Sequence, residues 1–94
     1  MVLVLMLVAP APAWGQLSEV LVESNVSNAT VVIDGTELAR TNEDGVALIE
    51  AIAPGQHTVE LRKAGYWNAS VRVTLEPGLT TPLVLELRRR EGSD

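Results

Sequence analysis

Residues 29–66 read ATVVIDGTELARTNEDGVALIEAIAPGQHTVELRKAGY, and this stretch decides the fold. Short runs alternate apolar and polar residues, and most end at a glycine that follows Asp, Pro or Ala. A period of two with Asp-Gly, Pro-Gly and Ala-Gly punctuation is the pattern of strand, turn and strand. Ala29, Val31 and Ile33 share one face of a strand over residues 29–33. Asp34-Gly35 then predicts a two-residue hairpin, because a type I′ turn needs positive φ at both central positions. Residues 36–40 return as a short strand, and Asn42, Glu43, Asp44 and Gly45 form a second turn. Residues 46–52 (VALIEAI) are the most apolar strand and are expected at the centre of a sheet, with Ala47 and Ile49 inward and Ile52 following. Pro54-Gly55 predicts a type II turn, Pro setting φ and Gly taking the positive φ after it. Residues 56–63 place His57, Val59 and Leu61 inward and Thr58, Glu60 and Arg62 outward, before Gly65 turns the chain into Tyr66-Trp67.

The pattern extends in both directions. Residues 16–24 (QLSEVLVES) give a first strand, with Val20 and Val22 on one face, and residues 25–28 give a polar turn. Ala69, Val71, Val73 and Leu75 define a strand that Pro77-Gly78 closes. Residues 81–88 form the last strand with Leu83, Leu85 and Leu87 in register. Pro82 lacks a backbone donor, which places that end at a sheet edge or a strand start. No window carries a 3.6-residue apolar repeat. Seven short strands with turns at this spacing predict an all-β, seven-stranded antiparallel β-sandwich of immunoglobulin-like or transthyretin-like type.

Ninety-four residues allow one domain. Residues 1–15 carry no charge, so the net charge of −5 belongs entirely to residues 16–94. Met1 to Ala9 is an apolar run of signal-peptide length, well short of the ~20 residues that span a bilayer. Ala13-Trp14-Gly15 puts small residues at −3 and −1, which predicts cleavage before Gln16, with cleavage after Ala13 as the alternative. No Lys or Arg precedes the apolar run, a departure from the usual signal peptide. The reading is therefore a signal peptide over 1–15, a sandwich domain over 16–88 and a disordered charged tail over 89–94, with no membrane span in the mature chain. The sequence holds no cysteine, which removes disulfides, thiol chemistry and a lipoprotein anchor together. Export without disulfides points to a bacterial or archaeal envelope, periplasmic or secreted. Mild acidity, with a pI near 4.7, argues against nucleic acid as a partner.

Within this frame VVIDG, with APGQHTVELRKAGY after it, resembles the PEGA domain, whose usual core is A-x-V-x-I-D-G, then L-x-P-G-x-H-x-V and G-Y. Val20-Leu21-Val22-Glu23-Ser24 is similar to that family's first strand. The middle, TNEDGVALIEAIAPG, is similar to the related carboxypeptidase regulatory-like domain. The resemblance covers residues 20–88. Val26 and Asn42 stand where the PEGA pattern prefers proline, and Ala39 where it often has glycine. The resemblance implies a non-catalytic extracytoplasmic module in which Asp34, Gly35, Asp44, Gly45, Pro54, Gly55, Gly65, Pro77 and Gly78 are turn positions, with no active site and no cofactor.

Individual residues agree with that expectation. His57, the one histidine, shares a face with Val59 and Leu61 and reads as a packed ring with one nitrogen satisfied, its neighbour Glu60 pointing away from it. Asn42-Glu43-Asp44-Gly45 resembles part of a calcium loop, but Arg40 and Ala51 fall where its outer carboxylates belong, so it reads as a polar turn. No serine lies in G-x-S-x-G, and the glycines are isolated. The sequons at Asn25, Asn28 and Asn68 read as products of composition. Tyr66 reads as core, its hydroxyl reaching a turn carbonyl. Trp67 falls on the opposite face beside Asn68, a pair suited either to ligand contact or to covering the core's edge. Arg88-Arg89-Arg90 reads as a solvated end. The expected function is non-catalytic contact with an envelope or surface protein, through an edge strand or the turns at Asp34-Gly35 and Asn42–Gly45. The alternative is a polysaccharide partner held by Trp67.

Overall fold

The alternation in the sequence folds as seven strands. The computed structural model describes residues 16–90, and among these there is no helix. The strands are β1 (Ser18–Ser24), β2 (Thr30–Ile33), β3 (Thr36–Arg40), β4 (Val46–Ile52), β5 (Gly55–Arg62), β6 (Ala69–Leu75) and β7 (Thr80–Leu85). They form a three-stranded sheet in the order β4-β1-β7 and a four-stranded sheet in the order β3-β2-β5-β6. The expected signal peptide over 1–15 and the last four residues lie outside the described residues.

The inner faces are those that period two selects. Val20 and Val22 of β1, Ala47, Ile49 and Ile52 of β4, and Leu85 of β7 pack with Val31, Ile33, Val59, Leu61 and Leu75 from the other sheet. Burying each large aliphatic side chain contributes about 1.5–3 kcal/mol, which is the main source of cohesion in a domain without disulfides. Val26, Ala29 and Leu87 close the core from outside the strands. At that end the Thr41 hydroxyl is buried; it donates to the Val26 carbonyl at 3.0 Å and accepts from the Ala29 amide at 2.9 Å. Ser18 is buried at the other end and donates to the Glu76 carbonyl at 2.6 Å.

Three features depart from the antiparallel expectation in detail. First, β1 pairs antiparallel with β4 but parallel with β7, running from Glu19 opposite Thr80 to Ser24 opposite Leu85. The other ladders, β2–β3, β2–β5 and β5–β6, are antiparallel. A parallel pair needs a long crossover, and here the remainder of the domain supplies it. Second, β4 is an edge strand rather than a central one. Its apolar composition serves both faces: Ala47 and Ile49 point into the core, while Leu48 is 49% exposed on the outside. Third, the β1–β4 register slips between Ser18 and Val20, and Ala51 takes φ 64°. This bulge turns Ile52 inward in place of Ala51.

Pro82 sits on edge strand β7, as a missing donor requires. Ile33 pairs with Thr36 across Asp34-Gly35, whose φ values of 52° and 86° make the expected type I′ turn. Ala53-Pro54 behaves differently. It is a bend without a turn hydrogen bond that carries the chain between sheets, and Gly55 opens β5 with φ 116°.

Candidate functional site

The turns gather at two ends of the sandwich. Asp34-Gly35, Ala53-Pro54 and Pro77-Gly78 lie at one end; residues 25–28, 42–45, 63–68 and 86–90 lie at the other. Of the two turns expected at the surface, each is exposed, except for Gly45, and they occupy opposite ends. In the second, the Asn42 side-chain oxygen accepts from the Asp44 amide at 2.8 Å and the Val46 amide at 3.0 Å. That geometry is an Asx turn, with Glu43 and Asp44 exposed.

At the first end, His57 meets a carboxylate that the sequence reading did not place there. Asp34 sits in the hairpin turn, and its Oδ1 accepts from the Thr58 amide at 2.9 Å. Its Oδ2 lies 2.5 Å from His57 Nδ1, and His57 Nε2 lies 2.6 Å from the Ala53 carbonyl oxygen. Both ring nitrogens therefore face acceptors, and only the doubly protonated ring donates to both. The hydrogen bond that His57 donates to Asp34 raises the His57 pKa, with a smaller rise from the Ala53 carbonyl against the opposing effect of burial. The Thr58 amide, and after it His57, hold the Asp34 carboxyl below its ordinary value. The ring thus ties the β2–β3 turn to the β4–β5 bend.

These two shifts give stability opposite dependences on pH. The His57 contribution is complete below its unfolded pKa of about 6.5 and is lost as pH rises through the higher folded value. The Asp34 contribution is complete above its unfolded value, near 3.8, and is lost as pH falls through the lower folded one. Melting temperature is expected to be greatest at about pH 5, between the two unfolded values, and to fall as pH rises above about 6.5 and through the raised folded value of His57. Thermal melts of His57→Gln should lack that alkaline-side fall; a parallel fall in the variant contradicts the assignment.

At the second end a cleft of about 360 Å³ opens beside the 63–66 turn. Arg62, Lys63, Arg90, Glu37, Tyr66 and Asn68 are among the residues that line it. Lys63 Nζ donates to the Ser27 carbonyl at 2.7 Å. Glu60 accepts from Arg62 at 3.0 Å and from Asn68 Nδ2 at 3.2 Å. Arg62 in turn holds the Glu60 carboxyl below its ordinary value.

The C-terminal arginines are tied down here. Tyr66 bridges Arg89, Trp67 N–H donates to the Arg88 carbonyl, and Arg90 N–H donates to the Gly65 carbonyl, each of these two bonds at 2.9 Å. Their side chains are exposed as expected, but the backbone of Arg89 and Arg90 is not a disordered tail. Trp67 is 57% exposed, and the Arg90 guanidinium lies 4.8 Å from its ring centroid. One ring face is therefore taken by a cation–π contact. Tyr66 packs partly buried against the core, and its hydroxyl makes no hydrogen bond among the described residues, contrary to expectation. Asn68 lines the cleft rather than extending the Trp67 surface.

The outer faces of the two sheets differ in chemistry. On the three-stranded sheet Leu48, Leu21 and Pro82 stand in one row across the strands, and Val46, Glu23 and Val84 in the next. Leu48 and Val84 are 49% and 68% exposed. Glu23 sits within the second row, Glu19 and Glu50 stand on the far side of the first, and β1, β4 and β7 contain no Lys or Arg. The four-stranded sheet presents Thr58, Glu60 and Arg62 of β5 with Ser70, Arg72 and Thr74 of β6. At its centre Val32 is 1% exposed yet lies outside the core cluster, covered on the outer face by its neighbours, among them its ladder partners Glu37 and Glu60. Among the described residues no group of three His, Cys, Asp or Glu side chains is placed to hold a metal ion, and no helix is long and apolar enough to cross a membrane.

Two packed sheets, glycine-marked turns and a His–Asp tie between two of those turns define a small all-β sandwich module. The PEGA domain model matches residues 17–91. The chain belongs to the PEGA domain family, whose members are small β modules found in extracellular and periplasmic proteins. No curated protein matches the chain.

Proposed function

We propose that this chain is a non-catalytic extracytoplasmic module that works by contact with another protein of a bacterial or archaeal envelope. The observation that supports this reading most is the outer face of the three-stranded sheet. Its apolar row across β4, β1 and β7 is exposed and rimmed by Glu19, Glu23 and Glu50, with no cation on the three strands. Exposed apolar rows with a polar rim are typical of interaction sites. The acidic rim selects a partner with apolar residues bordered by Lys or Arg. His57 is committed to two hydrogen bonds within the fold, which leaves it a structural part.

A photo-crosslinking residue at Val84 should give one discrete adduct in envelope preparations, and the same residue at Thr74 on the opposite sheet should give none. Adding Leu48→Asp should remove the Val84 adduct without lowering the melting temperature. Equal labelling from both positions contradicts this reading.

A second reading, a polysaccharide partner, draws on Trp67, whose ring is more than half exposed beside a polar cleft. It predicts quenching of tryptophan fluorescence by glycans that disappears in Trp67→Ala.

A further inference from the structure

The chain is acidic, yet its cations are concentrated. Of seven Lys and Arg residues, only Arg72 lies away from the end that carries the cleft. Arg40 and Arg62 flank Thr30 in one row across β3, β2 and β5. Lys63 comes directly after Arg62, and the ladder between Tyr66 and Arg89 brings residues 88–90 to the same turn. Three of these cations, Arg62, Lys63 and Arg90, line one cleft with Asn68 and Tyr66.

The electrostatics favour an anion. Lys63 donates to a main-chain carbonyl and makes no ion pair among the described residues. Arg62 pairs with Glu60 on the exposed sheet face and also feels the Glu37 carboxylate, but an ion pair there is weak and readily exchanged. Glu37 is the acidic residue in the lining. Clustered cations on an acidic molecule focus potential toward an anion. Arg presents a planar fork matched to a carboxylate, while Lys offers a point charge. Asn68 and Tyr66 add hydrogen-bonding groups suited to hydroxyls beside that carboxylate. The volume, about 360 Å³, is that of a small-ligand site. The Trp67 ring sits outside the lining, under Arg90, so it acts on the cleft by holding that side chain in place.

We propose that this cleft binds a carboxylate-bearing sugar residue of an acidic polysaccharide. Arg62 and Lys63 hold the carboxylate, and Asn68 and Tyr66 bond to ring hydroxyls. The proposal rests on the polysaccharide reading and replaces stacking on Trp67 with charge recognition beside it.

The test is titration of the isotopically labelled full chain, monitored by amide NMR, with three probes: a galacturonic acid trimer, the neutral galactose trimer, and sodium sulfate. Saturable shifts at Gly65, Tyr66 and Asn68 with the acidic trimer alone are expected. Affinity should fall at least tenfold between low and 0.3 M salt, and at least tenfold in Arg62→Gln/Lys63→Gln. Asn68→Ala, which removes no charge, should weaken the trimer severalfold. Equal binding of both trimers leaves the polysaccharide reading standing and overturns the anionic assignment. Sulfate binding as tight as the acidic trimer overturns the sugar assignment. No shift with any probe overturns both.

Discussion

A Gly45→Ala chain is expected to lose about 4 kcal/mol or more of stability, a large share of what a domain of this size has. Gly45 has φ +80°, and a Cβ built on it stands 2.2 Å from the Ser24 carbonyl oxygen and 3.1 Å from its carbon. Left-handed backbone alone costs an alanine about 1–2 kcal/mol. The contact is with main chain, so no side chain can rotate away. Relief requires moving the start of β4 off β1, which breaks the 2.8 Å bond from the Ser24 amide to the Gly45 carbonyl. The total is about 4 kcal/mol or more. A domain of this size has roughly 4–11 kcal/mol to lose, at 0.05–0.15 kcal/mol per residue. Gly35 supplies the control. Its φ is +86°, but nothing lies within 4 Å of its built Cβ. Gly35→Ala should therefore cost only the backbone part, about 1–2 kcal/mol, and stay folded. Denaturant melts of the pair separate close packing from backbone preference; equal losses in both contradict the packing argument.

The second large effect is at Leu61. It is fully buried in β5 and pairs with Val31 at the centre of the four-stranded sheet. Leu61→Ala should cost about 2–5 kcal/mol through lost transfer energy and the cavity left behind. For a domain this small each kcal/mol lowers the melting temperature by about 4–8 °C, so calorimetry should show a fall of roughly 8–40 °C. Val32→Ala is the informative comparison. Val32 is as inaccessible as Leu61, but it faces the outer side of the sheet, away from the core. Its truncation opens onto solvent rather than leaving a cavity, and about 1–1.5 kcal/mol is expected from two methyl groups. Comparable losses at the two positions would mean that burial alone, without the core around it, sets the cost.

Much of the fold was legible because period two fixes which residues share a face. Val20, Val22, Val31, Val59 and Leu61 follow from alternation, and the Asp34-Gly35 hairpin from turn chemistry. Alternation says nothing about which strand lies beside which. Pro77-Gly78 makes a tight turn with a 3.2 Å bond from the Leu79 amide to the Glu76 carbonyl, yet the strands it joins belong to different sheets. The parallel β1–β7 pair joins residues more than sixty positions apart and leaves no local trace. One irregularity did leave a signal: inward residues at 47, 49 and 52 break the step of two, which is the mark of the bulge at Ala51.

The sites were less legible. Asp34 and His57 meet only because a left-handed turn residue is brought beside a neighbouring strand. Both stand at fixed places in the PEGA-like motif, so their joint presence was the available clue. The cleft draws on β2, β3, the end of β5, the 63–68 turn and a C-terminal segment that looked solvated from its charge. Charge patterning describes side chains, and it was the backbone of Arg88–Arg90 that found partners.

The central claim is that β1 lies in the middle of one sheet, antiparallel to β4 and parallel to β7. Interstrand nuclear Overhauser contacts of the full chain test this most directly. Val22 should show Ala47 on one side and Leu83 on the other, with β7 partners rising in number along β1 from Thr80 near Glu19 to Leu85 near Ser24. Partners that fall in number along β1, with Glu19 near Leu85 and Ser24 near Thr80, would contradict it.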